Sequence, residues 1–281
     1  VYEILAKEDL APVTKLYEVR APVVAHKARA GQFVIIRLDE EGERIPLTIA
    51  DYDRERESIT LVVQEVGKTT QQMGTLQVGD QMASFTGPLG EPSQIENYGT
   101  VLCIGGGVGI APIYPIARDL KEAGNTVLSI IGARNKDLLF WEDKMRAISD
   151  ELIVCTDDGS YGRKALVTIP MKEMLEAARP IDRIWAIGPA IMMKFCALTA
   201  KPFGVHMEVS LNSIMVDGTG MCGACRVEVG GQTRFVCVDG PEFDGYKVDW
   251  DQLLARQRIY LDQEQEAMAK WDHECQCGEQ G

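Results

Sequence analysis

Histidine is nearly missing from this 281-residue chain: His26, His206 and His273 are the only three, and no common spacing links them into a metal site or catalytic pair. Long apolar runs are missing too, none approaching the ~18 residues a membrane-spanning helix needs. The first residues, Val1 to Leu10, mix polar and apolar side chains without a basic flank, so neither a signal peptide nor a membrane anchor is expected. Positive charge is scarce: 29 Lys and Arg face 42 Asp and Glu, a net charge of −13. So acidic a surface repels phosphate backbones and anionic headgroups, which argues against nucleic acid or membrane as partner. There are no internal repeats and no low-complexity tracts.

What is present begins with length and apolar content. A hydrophobic fraction of 46% supports a sizeable core, and the length suits two domains with a small appended module. Of eight cysteines, Cys222, Cys225 and Cys237 fall within sixteen residues. That clustering points to metal ligation in a reducing, cytoplasmic compartment rather than to disulfides.

Three segments follow from texture. Residues 1–97 carry short β-branched runs such as Gln32 to Leu38 and Ser58 to Gln64, broken by Gly74, Gly79, Gly87-Pro88 and Gly90. They predict a small antiparallel β-barrel of about six strands. Residues 98–205 alternate apolar strands with amphipathic helices, predicting an α/β domain with a parallel sheet covered on both faces. Its strands are expected at Thr100 to Ile104, Thr126 to Gly132, Leu152 to Thr156 and Arg183 to Ile187. Its helices are expected at Ile113 to Ala123, Asp137 to Ile148, Pro170 to Ala178 and Ala190 to Thr199. Residues 206–281 are Gly- and Cys-rich, with a helix-like run from Asp249 to Trp271 and a mobile tail from His273.

Two motifs carry chemistry. At Gly105-Gly106-Gly107-Val108-Gly109, followed by Ala111 and Pro112, a strand turns into a helix. Glycines there let the backbone approach a pyrophosphate at the helix N-terminus, so dinucleotide binding is expected. The second motif is Cys222-Gly-Ala-Cys225 followed by Cys237, three thiolates that suit iron–sulfur and zinc alike. The plant-type spacing places a further cysteine five residues before the first of these, where Asp217 stands. Asp217 is then either a carboxylate ligand or a turn-former ahead of Gly218, and Cys275-x-Cys277 is a competing source of a fourth thiolate. Cys103, Cys155 and Cys196 sit in apolar contexts and read as core thiols.

The variant Gly107-x-Gly109-x-x-Pro112 resembles the nicotinamide-binding domain of the ferredoxin–NADP reductase superfamily, in which a flavin-binding barrel comes first. Arg44-Ile45-Pro46-Leu47-Thr48 is similar to the stretch that lies against the flavin there. Gly67-Lys68-Thr69-Thr70 looks like the segment capping the flavin pyrophosphate, with backbone amides and a hydroxyl as donors. Gly188-Pro189 matches the late turn near the nicotinamide. One departure is that Ile45 takes the usual arginine position and Arg44 sits one place early, leaving Arg44 open as flavin ligand or solvated charge. Barrel, nucleotide domain and cysteine loop together resemble the electron-transfer subunits of dihydroorotate dehydrogenase B. Arg44 to Asp51, Asp157 to Gly162 and Ser210 to Val227, with Asp217 replacing the first cysteine, bring the resemblance closer to the small subunits of NADH-dependent ferredoxin:NADP oxidoreductases.

This resemblance implies FAD, a [2Fe-2S] cluster on Asp217, Cys222, Cys225 and Cys237, and an NAD(H) site. It also implies a larger flavin and iron–sulfur partner subunit that meets ferredoxin, with electron bifurcation by the whole complex. Asp157 and Asp158 are placed to meet the nucleotide's polar edge. No basic cluster awaits a 2′-phosphate, although Arg134 and Lys136 keep NADP open. Two rival readings are an electron-transfer subunit of a dihydroorotate dehydrogenase or hydrogenase, and a zinc-binding interaction protein on a nucleotide-sensing domain.

Overall fold

The computed structural model describes residues 2–278, with side chains through residue 271. Seven strands build the first segment: β1 (Tyr2–Ala11), β2 (Thr14–Arg20), β3 (Phe33–Arg37), β4 (Ile45–Asp53), β5 (Ser58–Gln64), β6 (Gln81–Met82) and β7 (Ser84–Leu89). They pair antiparallel in the order β6-β1-β2-β5-β4-β3-β7. The short β6 is the strand beyond the expected six, too brief to leave an alternating pattern. Ile4, Tyr17, Val19, Ile36, Ile49, Ile59 and Leu61 fill the interior of the barrel. Two helices attach to it, α1 (Pro22–Lys27) and α2 (Lys68–Thr75). The Tyr17 hydroxyl donates to the Met73 carbonyl at 2.9 Å, and Lys7 Nζ donates to the Gly74 and Leu76 carbonyls at 2.7 Å, so α2 is tied to the barrel wall.

The second sheet comprises β8 (Thr100–Gly106), β9 (Thr126–Ala133), β10 (Glu151–Thr156), β11 (Arg163–Lys164), β12 (Arg183–Ile187), β13 (His206–Ser210) and, after the hairpin β14 (Arg226–Val229) and β15 (Gln232–Phe235), β16 (Glu242–Asp244). Its order is β11-β10-β9-β8-β12-β13-β16, parallel throughout except for β16. Flanking it are α3 (Ile110–Glu122), α4 (Glu142–Ile148), α5 (Thr168–Glu176) and α6 (Ala190–Ala200). Side chains alternate across a strand. Val101 and Cys103 therefore join a core with α3 and Met145, whereas Leu102 and Ile104 join one with Met171, Met193 and Cys196. Burial pushes the Cys155 thiol up to about 11 and that of Cys196 to about 12, which keeps both protonated core residues.

The structure departs from the sequence pattern at three places. Helix α4 begins at Glu142, not Asp137, because Trp141 adopts a left-handed φ of 57° and Asn135 caps a separate short turn over Lys136–Leu138. The boundary expected at 205/206 falls at the start of β13, a strand of the nucleotide sheet, and β16 extends that same sheet. The C-terminal segment continues through α7 (Val236–Asp239), α8 (Trp250–Arg256) and α9 (Leu261–Gly278). The expected run from Asp249 to Trp271 is thus two helices, and α9 turns back against α2. The side chains of His273, Cys275 and Cys277 lie outside those described.

Barrel and nucleotide sheet meet through β4 and α3. Arg118 Nη1 lies 2.5 Å from Asp51 Oδ1 and its Nε 3.1 Å from Asp119, with the guanidinium 5.3 Å from the centre of the Tyr52 ring. Both partners of the Arg118–Asp51 pair are largely shielded from solvent. Asp51→Ala leaves half of this clasp unpaired and is expected to cost about 1–2 kcal/mol, read as a fall in thermal midpoint. An unchanged midpoint would show that the junction rests on apolar packing alone.

Candidate functional site

On the barrel, Pro46, Leu47 and Thr48 pair with Ile35, Val34 and Phe33 of β3. Strand β5 pairs only with the second half of β4, from Ile49 onward. The stretch Ile45 to Thr48 therefore has an open edge on that side, and Pro46, which lacks an N–H, suits such an edge. All four residues are half-buried. At the facing helix, Gly67 is the N-cap of α2. The Thr70 hydroxyl accepts from the Val66 and Gly67 amides at 3.0 Å and donates to the Gly67 carbonyl at 2.9 Å. The Thr69 hydroxyl donates to Glu43 at 2.9 Å. Both hydroxyls are thus spent locally, and the donors left for a phosphate are the first-turn amides of Lys68, Thr69 and Thr70. An open strand edge facing a helix N-terminus fits a flavin dinucleotide.

Arg44 is placed differently from the flavin-contacting stretch it precedes. Its Nε donates to the Val216 carbonyl at 3.0 Å and its Nη2 to the Asp217 carbonyl at 3.4 Å. The side chain is engaged with the cysteine loop, not with α2.

On the nucleotide sheet, β8 ends at Gly105 and Gly106, a single turn covers Gly107–Gly109, and α3 begins at Ile110 with Ala111 buried and Pro112 in its first turn. A Cβ on Gly109 would lie 2.3 Å from the Ile187 carbonyl oxygen and 2.7 Å from Gly188 Cα, so the turn packs backbone to backbone against the end of β12. Val108 is half-buried beside it, and Pro189 opens α6. Met192 of α6 sits over both glycine turns: its sulfur would lie 2.1 Å from a Cβ on Gly106 and its methyl 2.7 Å from one on Gly188. The sequence reading missed Met192. Its signal is the helical spacing of three residues after Pro189.

Asp157 and Asp158 follow β10 at the same carboxyl-terminal edge. Asp158 Oδ1 accepts from the Ser160 amide at 2.9 Å and its hydroxyl at 2.7 Å, which holds Asp158 below the usual carboxylate range and commits it to the turn. Burial, with Asp158 beside it, raises Asp157, against the opposing pull of Arg134. Lys136 donates its amide to Ser160 at 2.8 Å and lays its ammonium 5.7 Å from the Tyr161 ring centre.

The cysteine loop brings Asp217, Cys222, Cys225 and Cys237 to one end of the barrel. Cys225 and Cys237 are buried with their sulfurs 3.2 Å apart, and Cys222 is exposed. Main-chain N–H groups face both Cys222 and Asp217. Those of Ala224 and Asp217 favour the Cys222 thiolate and lower its pKa. The Thr219 hydroxyl, with the Thr219 and Met221 amides, holds Asp217 ionised. Burial and the neighbouring Cys225 sulfur push the Cys237 thiol well above the ordinary thiol range. Among the described residues no three His, Cys, Asp or Glu side chains converge on a single point. Cys225 and Cys237 are in contact, with Cys222 and Asp217 on the same loop near enough to influence them electrostatically, a spread set that suits a two-iron cluster more than one metal ion. His26 and His206 lie elsewhere, paired with Glu57 at 3.5 Å and Glu208 at 2.7 Å.

The loop is seated on the barrel. Gly218 has a φ of +83°, and a Cβ there would lie 2.7 Å from Ile35 Cγ1 and 2.9 Å from Leu89 Cδ1. Phe33 and Ile35 of β3 share one core with Cys225, Val227, Val236 and Cys237. Barrel, parallel sheet and thiolate loop so joined define a flavin and iron–sulfur oxidoreductase subunit of the ferredoxin reductase fold.

Comparison with known proteins narrows the class. Residues 2–93 match the oxidoreductase FAD-binding domain family, and residues 212–249 match the iron–sulfur cluster binding domain of dihydroorotate dehydrogenase B. A Thermotoga maritima protein named as a homolog of the dihydroorotate dehydrogenase B (NAD(+)) electron transfer subunit is 55% identical over 93% of this chain and 92% of its own length. The Shouchella clausii dihydroorotate dehydrogenase B (NAD(+)) electron transfer subunit is 33% identical over 79% of this chain and 86% of its own. A chain of the solved NADH-dependent reduced ferredoxin-NADP oxidoreductase, a structure described for its insights into flavin-based electron bifurcation, is 52% identical with a TM-score of 0.91, covering 96% of this chain and 98% of that one. The chain belongs to the family of dihydroorotate dehydrogenase B electron-transfer subunits and their homologues. Among the described residues, no helix is long and apolar enough to cross a membrane.

Proposed function

We propose that this chain is the small electron-transfer subunit of an electron-bifurcating NADH-dependent ferredoxin:NADP oxidoreductase. A larger flavin and iron–sulfur subunit would complete it, holding the bifurcating flavin and meeting ferredoxin. The observation that carries the reading is the loop of Asp217, Cys222, Cys225 and Cys237, its two buried sulfurs in contact and its Gly218 seated against Ile35 and Leu89 of the flavin barrel. When bound, FAD would supply two-electron exchange with NADH and one-electron exchange with a [2Fe-2S] cluster.

The chain's own residues hold and orient. Pro46, Leu47 and Thr48 would lie along the isoalloxazine, and Gly67, Lys68, Thr69 and Thr70 would cap the pyrophosphate with main-chain amides. Gly105, Gly107, Val108, Gly109, Ala111 and Pro112 would receive the nicotinamide dinucleotide, with Gly188 and Pro189 beside its reacting ring. Asp157, free of the turn that occupies Asp158, would accept from a ribose hydroxyl. Of the two basic side chains near this edge, Arg134 and Lys136, the second is folded over the Tyr161 ring, which leans the site toward NAD(H). Exposed Val216, Met221 and Val238 give the ground around Cys222 an apolar rim suited to a protein partner.

The experiment is an anaerobic NADH titration of the purified chain, followed by its visible spectrum. Bleaching of a flavin band together with a broad iron–sulfur band is the expected result. A colourless, zinc-loaded and unresponsive protein would overturn the redox reading. The names of the relatives favour a second assignment, the electron-transfer subunit of a dihydroorotate dehydrogenase. Co-purification decides it: a dihydroorotate-oxidising partner supports the second assignment, and a larger flavin and iron–sulfur subunit that reduces NADP supports the first.

A further inference from the structure

Two consecutive residues at the mouth of β4 reach in opposite directions. Glu43 accepts a hydrogen bond from Thr69 of α2 at 2.9 Å, on the flavin-capping side. Arg44 donates to the carbonyls of Val216 and Asp217 at 3.0 and 3.4 Å, on the cysteine-loop side and more than 170 positions along the chain. Glu43 and Arg44 immediately precede β4, so one backbone step connects the two sites.

We propose that Arg44 is a positioning residue for the iron–sulfur cluster and not a ligand of the flavin phosphates. This rests on the iron–sulfur reading of the cysteine loop given above. The guanidinium grips the loop from outside while Gly218 is wedged against Ile35 and Leu89 from inside, so residues 216–218 are held at two points on the barrel. Thr219 binds Asp217 Oδ2 through both its amide and its hydroxyl, so the carboxylate is fixed to the loop that Arg44 holds. The grip therefore sets the direction of the Asp217 carboxylate and the separation of the cluster from the flavin edge at Pro46 to Thr48. It also places a fixed positive charge beside Asp217. A cation there stabilises the reduced cluster, which carries one more negative charge than the oxidised one.

The test compares Arg44→Gln, Arg44→Lys and the surface control Arg56→Gln as purified holoproteins. Three quantities are read: bound FAD, the EPR spectrum of the reduced cluster, and its midpoint potential. Arg44→Gln is expected to keep its FAD, change the EPR line shape, and disfavour cluster reduction about tenfold, equivalent to about 59 mV for one electron. Loss of the cluster with FAD retained would support the same role. Arg44→Lys restores the charge without the two-point grip, so the potential should recover while the line shape stays altered. FAD loss with an unchanged cluster spectrum would overturn the proposal and return Arg44 to the flavin, as would no change in any of the three. A wild-type protein without any cluster signal would overturn the iron–sulfur reading itself, a failure visible before any variant is made.

Discussion

Cys237→Ala should abolish the iron–sulfur signal and still leave a flavin that NADH bleaches. Cys237 is buried against Cys225 at 3.2 Å, at the junction of α7 with the hairpin of β14 and β15. Removing its thiolate would take away one of the two ligands that Cys225 and Cys237 together would offer an iron. Neither the glycine turn at Gly107 to Gly109 nor the open edge of β4 touches this position, so hydride uptake is separable from onward transfer. Transfer to a one-electron acceptor is expected to fall by more than about 100-fold, beyond the range seen when only an outer-shell partner of a metal ligand is lost. EPR of the NADH-reduced protein reads the result. A cluster signal of wild-type shape in the variant would remove Cys237 from the ligand set and reopen the place of Cys275 and Cys277.

Gly109→Ala should disable the nucleotide site. The added methyl would stand 2.3 Å from the Ile187 carbonyl oxygen and 2.6 Å from its carbon, both rigid backbone atoms at the end of β12. Side chains cannot swing aside to relieve this, so the turn itself must move away from Gly188. Overpacking of this kind costs about 1–3 kcal/mol. A shift of about 1 Å in a turn that positions a reactant costs about 100-fold in rate. Stopped-flow reduction of the flavin by NADH should slow by that order while the visible spectrum of the oxidised protein is unchanged. Gly107→Ala is the contrast: its φ of +56° strains a side chain, but nothing lies within 4 Å of the added methyl. Equal loss in both variants would show that backbone conformation, not the approach to β12, sets the site.

The glycine turn was legible because strand, turn and helix follow one another within a dozen residues, and each leaves its own period. The cysteine loop was legible for a similar reason, since ligand spacing along a short loop limits the geometry. Arg44 was not. Its neighbours in sequence suggest a flavin contact, and its partners Val216 and Asp217 come from the far end of the chain. The hydroxyls of Thr69 and Thr70 likewise looked available, and only the capping geometry and Glu43 show them occupied. Nor could composition divide Asp157 from Asp158, two identical side chains of which one closes a turn.

The order of a barrel, a parallel α/β sheet and a thiolate loop is written in local pattern, because periods of two and of 3.6 residues and glycine-rich turns are set by near neighbours. Long-range packing, by contrast, makes β13 and β16 extend the nucleotide sheet, leaves half of β4 with an open edge, and rests the cysteine loop on Ile35 and Leu89 under the hand of Arg44. Those features depend on strand register and on packing between distant segments, where a local pattern permits many partners and the shared core selects one.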